Sequence, residues 1–125
     1  NGALLAQQLS DQLREISNLE VIQVDIKMDK KDPKHTIKTN LPIENFANKS
    51  IVVVDDVLNT GSTLIHAVHY FLKIPVEQLQ TAVMVNRNHK KYPIKADFKG
   101  ISLSTTLKEH IHVEMQGKET GVYLT

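Results

Sequence analysis

The stretch Ile-Val-Val-Val-Asp-Asp-Val-Leu-Asn-Thr-Gly-Ser-Thr, positions 51–63, constrains the fold of this chain more than any other. An unbroken apolar run bounded by polar residues is the pattern of a strand buried on both faces of a parallel sheet, here over 49–56. The polar, glycine-containing turn leads into Leu64, Ile65, Val68, Phe71 and Leu72, one face of a helix over 62–73 that Pro75 stops. A second apolar run follows at 79–87. Strand, turn, helix and strand make a right-handed βαβ unit.

The flanking segments fill out an α/β fold with a mainly parallel central sheet flanked by helices. Residues 3–16 predict a helix with Leu4, Leu5, Leu9, Leu13 and Ile16 on one face. The β-branched segment 19–27 predicts a strand. The lysine-rich stretch between Asp25 and Leu41 predicts a long mobile loop or hairpin, and short strands are expected around 97–101, 111–115 and 122–124. At 125 residues the chain is long enough for one domain, 1–125. It opens on Asn1-Gly2 directly before a helical pattern, without Met, so it is expected to start inside a loop with upstream residues missing.

Composition narrows the function. Fifteen basic against 14 acidic side chains argue against a whole-surface nucleic-acid binder, though not against a local basic patch. Without cysteine there is no disulfide framework, thiolate metal site or cysteine nucleophile. No apolar run approaches the roughly 20 residues that span a bilayer, and no signal peptide is visible. A cytoplasmic protein with no membrane partner is the expectation.

Asp55 and Asp56 fall at the carboxyl end of the first strand, where ligands of open α/β sheets bind. Asn59, Thr60, Gly61, Ser62 and Thr63 then lead into a helix whose first N–H groups have no internal partners and whose dipole is positive. Such a terminus holds a phosphate. Gly61 allows close backbone approach, and Thr60, Ser62 and Thr63 add hydroxyls. The acids cannot bind that phosphate, but they can accept hydrogen bonds from vicinal hydroxyls or hold a divalent metal, directly or through water. Hydroxyl acceptors a few residues from a phosphate cradle describe a ribose-5-phosphate site. A receiver domain also ends its first strand in paired acids, but too little chain follows Asp56 to complete one.

The 51–63 pattern resembles the phosphoribosyl-diphosphate (PRPP) motif of type I phosphoribosyltransferases. Together with Ala-Val-Met-Val-Asn-Arg-Asn-His-Lys-Lys-Tyr-Pro-Ile-Lys-Ala-Asp-Phe-Lys-Gly at 82–100, it is similar to one branch. That branch comprises the pyrimidine-operon attenuator proteins that double as uracil phosphoribosyltransferases. Their motifs are D-D-V-L-Y-T-G-R-T and D-R-G-H-R-E-L-P-I-R-A-D-Y. Asn59, Ser62 and Asn86 depart from the family's Tyr, Arg and Asp, and Asn1 stands for an Arg of the pyrophosphate loop. Lys90 and Lys95 replace arginines of the presumed RNA surface, and Ile101 replaces a lysine there.

The resemblance implies transfer of ribose-5-phosphate from PRPP to a nucleobase, uracil first, with Mg2+ and release of pyrophosphate. It puts Asp55 and Asp56 on the ribose 2′- and 3′-hydroxyls, with a metal contact direct or through PRPP or water. It puts Asn59 to Thr63 on the 5′-phosphate, and Asn1, Gly2, Lys30 and Lys31 on the pyrophosphate side. The base sits beside Val85, Asn86 and Arg87, and His89, Lys90 and Lys95 are nucleotide or RNA contacts. A homodimer or higher homo-oligomer is expected. The competing reading is a regulator of pyrimidine genes that senses nucleotide and binds RNA without turnover, with RNA less favoured than the sugar-phosphate site. A purine enzyme fits less well, since those resemble Glu-Asp at the acid pair. His66 and His69 are expected on the surface. His110 and His112 are expected to face outward on a strand, without a ligand set for metal.

Overall fold

The computed structural model describes residues 2–29, 31–32, 36–87, 89–104, 108–117 and 120–124. Helix α1 spans Gly2–Ile16, strands β1 and β2 span Ile26–Met28 and Ile37–Thr39, and a 3-10 turn spans Ile43–Phe46. Then come β3 (Ser50–Leu58), α2 (Ser62–Phe71), β4 (Gln78–Asn86), β5 (Phe98–Ser102), β6 (Ile111–Glu114) and β7 (Gly121–Leu124).

The centre is a parallel sheet in the order β3-β4-β5, with Val53 opposite Thr81, Val57 opposite Val85 and Val85 opposite Ile101. The βαβ unit is β3-α2-β4. One face of α2 buries Leu64, Ala67 and Phe71 against Val53, Leu58 and Val83. Phe46 closes the core edge-on to Phe71, with centroids 6.1 Å apart. Two antiparallel pairs stand outside the sheet: the hairpin β1-β2, with Lys27 opposite Lys38, and β6-β7. Ile26 and Ile37 pack the hairpin onto the core. The hairpin expected between Asp25 and Leu41 is therefore present, as are the strands expected near 97–101, 111–115 and 122–124.

Three expectations need correction. The strand predicted over 19–27 survives only in Ile26 and Lys27; residues 17–25 have no regular structure. Side chains hold that segment instead, with Arg14 Nη2 donating to the Val21 carbonyl (2.7 Å) and Gln23 Nε2 to that of Ala3 (3.1 Å). The apolar stripe of α1 is buried at Leu5 but exposed at Leu13 and Ile16. The first strand, expected to end at 56, continues to Leu58, so two more residues of ladder follow Asp55 and Asp56.

Candidate functional site

The end of β3 and the start of α2 frame a small open recess lined by Asp55, residues 57–64 and Val83. It exists because parallel β3 and β4 leave their carboxyl ends on one side and the chain must turn there to enter α2. Gly61 makes that turn at φ +89°, a left-handed conformation that side chains disfavour. The helix starts at once, with the Ile65 N–H donating to the Gly61 carbonyl (2.9 Å). Gly61 provides no side-chain cap. The Thr60 hydroxyl accepts from the Ser62 N–H at 3.2 Å. By helix geometry the Thr63 and Leu64 N–H groups have no partner within α2 and face the anion-favouring end of its dipole.

The two acids differ in surroundings. Each is half-buried and bends its Oδ1 back to the next backbone amide: Asp55 to the Asp56 N–H and Asp56 to the Val57 N–H, both 2.9 Å. Asp55 lines the recess with the turn, and Asp56 is not among the lining residues. Gly2 lies beside Asp55; a Cβ built there would stand 3.4 Å from Asp55 Oδ1. Gly2, Asp55 and Asn59 to Thr63 thus form one continuous neighbourhood. Lys31 is an exposed residue of the hairpin turn, its N–H donating to Asp29 Oδ1 at 3.0 Å. Asn1 and Lys30 lie outside the described residues.

On the base side, Val85 is fully buried, so its side chain cannot meet a ligand. Asn86 is buried as well, and its carbonyl accepts from the Leu103 N–H (2.8 Å). Arg87, expected beside the base, is buried and braces the surrounding loops. Its N–H donates to the Leu58 carbonyl at 2.9 Å, Nη1 to Asn59 Oδ1 at 3.4 Å, and Nη2 to the Glu109 carbonyl. It ties the phosphate turn to the segment before β6.

Sequence periodicity missed the strap that follows. The Lys91 and Tyr92 N–H groups donate to the Thr60 carbonyl at 2.8 and 3.2 Å. The Ile94 side chain fills the space over Gly61, where a Cβ would come within 2.5 Å of its Cγ2. Gly61 is therefore required by φ and by the strap, a different reason from the ligand approach expected. Beyond Ile94, the Thr81 hydroxyl donates to the Lys95 carbonyl (2.7 Å) and the Thr81 N–H to Asp97 Oδ2 (2.9 Å). His66, expected on the surface, is half-buried under the strap. Its Nδ1 is 2.7 Å from the Ser62 carbonyl and its ring is edge-on to Tyr92. His89 is half-buried, while Lys90 and Lys95 are exposed on the strap. His69, His110 and His112 are exposed as expected, and His112 pairs with Glu114 at 3.4 Å. Among the described residues no group of three or more His, Asp or Glu could hold a metal by itself. The only signal for the strap in the sequence was the Tyr92-Pro93-Ile94 motif with its requirement for glycine at 61.

The phosphoribosyl transferase domain model matches residues 1–118. The chain belongs to the phosphoribosyl transferase domain family. Within that family it is 40% identical to the bifunctional protein PyrR of Geobacter sp. (strain M21), over 98% of this chain and 75% of that protein. It is 34% identical to the bifunctional protein PyrR of Ligilactobacillus salivarius (strain UCC118), over 94% of this chain and 74% of that protein. Among solved structures, the hypoxanthine phosphoribosyltransferase of Trypanosoma cruzi superposes with a TM-score of 0.68 at 18% identity, covering 82% of this chain. A Staphylococcus aureus hypoxanthine phosphoribosyltransferase superposes with a TM-score of 0.65 at 18% identity, covering 86% of this chain. The chain spans 57% and 60% of the lengths of those two structures. At that identity they show the phosphoribosyltransferase fold alone.

Proposed function

We propose that this chain is a PRPP-dependent phosphoribosyltransferase that moves ribose-5-phosphate from PRPP to a nucleobase nitrogen, uracil first, and releases pyrophosphate. The observation that carries this is the recess at the end of β3 in which Asp55 meets the turn Asn59–Thr63, with Gly2 beside Asp55. Its two chemistries match the two ends of one sugar phosphate. The PyrR relatives support the choice of a pyrimidine base.

In this reading the amides of Thr63 and Leu64 and the hydroxyls of Thr60, Ser62 and Thr63 hold the 5′-phosphate. Asp55 and Asp56 accept from the ribose hydroxyls, which fixes the sugar. Their charge also stabilises the positive charge that builds on the ribose ring as pyrophosphate departs. Gly2 leaves room on the pyrophosphate side, Lys31 of the hairpin meets the leaving group, and the family resemblance assigns Asn1 and Lys30 to the same side. Closure of that hairpin excludes water from the reacting carbon. The base lies beside the backbone of Val85 and Asn86, with Arg87 holding the surrounding loops. A pair of half-buried carboxylates suits Mg2+, which binds through one or two carboxylates and substrate oxygens rather than in a protein cage. When bound it neutralises the pyrophosphate.

The protein is placed in the cytoplasm in this reading. No described helix is long and apolar enough to cross a membrane. Homo-oligomerisation is part of the proposal, supported by the apolar side chains that α1 leaves exposed. A second reading, a nucleotide-sensing RNA-binding regulator, is favoured by the exposed Lys90 and Lys95 on a strap bonded directly to the phosphate turn. A panel of bases incubated with PRPP and Mg2+ tests the enzyme. UMP from uracil is the expected product, and nucleotide binding without turnover on any base would favour the regulator.

A further inference from the structure

Residues 59–63 contain no cation. The buried guanidinium of Arg87 is directed to Asn59 Oδ1 and the Glu109 carbonyl, where it braces the turn. A phosphate seated on backbone amides alone would lack the charged donor that makes such hydrogen bonds shorter and about twice as strong. The strap brings one to the turn. Lys91 is exposed, yet its own N–H donates to the Thr60 carbonyl at 2.8 Å, so its flexible four-carbon stem starts one covalent bond from the nitrogen held by the turn. Its Nζ stands 5.9 Å from the centroid of the Tyr92 ring, a loose contact. That ring is edge-on to His66 of α2, and the Tyr92 Cβ lies 3.7 Å from the Cβ position of Gly61. The backbone of Lys91 is thereby fixed on the turn, and its ammonium lies over a ring that packs against α2. The substitution pattern agrees: Ser62 stands where the family motif has arginine, and Lys91 where it has glutamate.

Resting on the sugar-phosphate reading of the site, we propose that Lys91 is the cation of the 5′-phosphate site. Its ammonium leaves the Tyr92 ring and pairs with the phosphate that the first turn of α2 receives. The positive charge lost from the turn at Ser62 is supplied from the strap instead.

Titration of the purified chain with ribose 5-phosphate, by calorimetry at low and high ionic strength, tests this. Lys91→Gln is expected to weaken binding about tenfold or more, the scale of one hydrogen bond to a charged group. It is also expected to flatten the salt dependence of affinity, with the melting temperature unchanged. Lys91→Arg should bind as wild type does, and so should Lys73→Gln, at the exposed far end of α2. If the wild type binds and Lys91→Gln binds equally well, the role of Lys91 is overturned while the site stands. If Lys91→Arg falls as far as Lys91→Gln, the loss comes from the strap and not from the charge, and the proposal is again overturned. If the wild type binds no ribose 5-phosphate, the site reading falls and this inference with it.

Discussion

Gly61 carries two constraints on one backbone atom. Its φ of +89° disfavours any Cβ, and the Ile94 side chain occupies the place where a Cβ would go. Gly61→Ala is expected to destabilise the fold by about 1–3 kcal/mol and to weaken ribose 5-phosphate binding. Ile94→Ala in the same chain removes the steric half, so a double-mutant cycle in chemical denaturation should show positive coupling; purely additive losses would contradict the packing explanation. The acids are a different case. Asparagine at 55 or 56 keeps an Oδ1 to accept the following N–H, so the backbone contacts survive while the charge goes. Asp55→Asn and Asp56→Asn are each expected to lower kcat/KM by at least about a hundredfold, on the order of 3 kcal/mol of transition-state stabilisation. The stability change should stay within about 1 kcal/mol. Asp55→Asn should be the more severe, because Asp55 lines the recess with the turn. Activity retained in both variants would refute their role.

The strap behaves as one element pinned at three places: Arg87 on Leu58, Lys91 and Tyr92 on Thr60, and Lys95 and Asp97 on Thr81. Thr81 is buried, so Thr81→Val removes a hydroxyl that serves the Lys95 carbonyl. A loss of about 1–2 kcal/mol is expected, with faster amide hydrogen exchange at Lys91 and Tyr92. Unchanged exchange there would mean that the strap does not depend on its far anchor. Arg87→Ala strips a buried guanidinium from the Glu109 carbonyl and Asn59 together and should cost about 2–4 kcal/mol by thermal denaturation. A near-neutral result would contradict the bracing role of Arg87.

At the scale of the whole molecule, the parts legible in sequence were those governed by local pattern. The 51–87 segment carried the βαβ unit, because an unbroken apolar strand, a glycine turn and a 3.6-residue helical period each have a local physical cause. The place of the acid pair near the end of β3, and of the glycine turn before α2, was legible for the same reason. The strap was not, because its contacts join Thr60 to Lys91 and Thr81 to Lys95, pairs far apart in the chain that leave no periodic trace. Segment 19–27 failed because strand-like composition needs a partner strand, and among the described residues it finds one only from Ile26 onward. His66, expected on the surface, is half-buried because that strap folds over it. A binding surface for RNA on Lys90 and Lys95 predicts a steep fall of RNA affinity with salt; a flat dependence would remove RNA from the account. The measurement that bears most directly on the central claim is UMP formation from PRPP and uracil with Mg2+, run beside the Asp55→Asn chain. Turnover by the wild type that is lost in the variant is the predicted result. No turnover on uracil or any other base would contradict the claim.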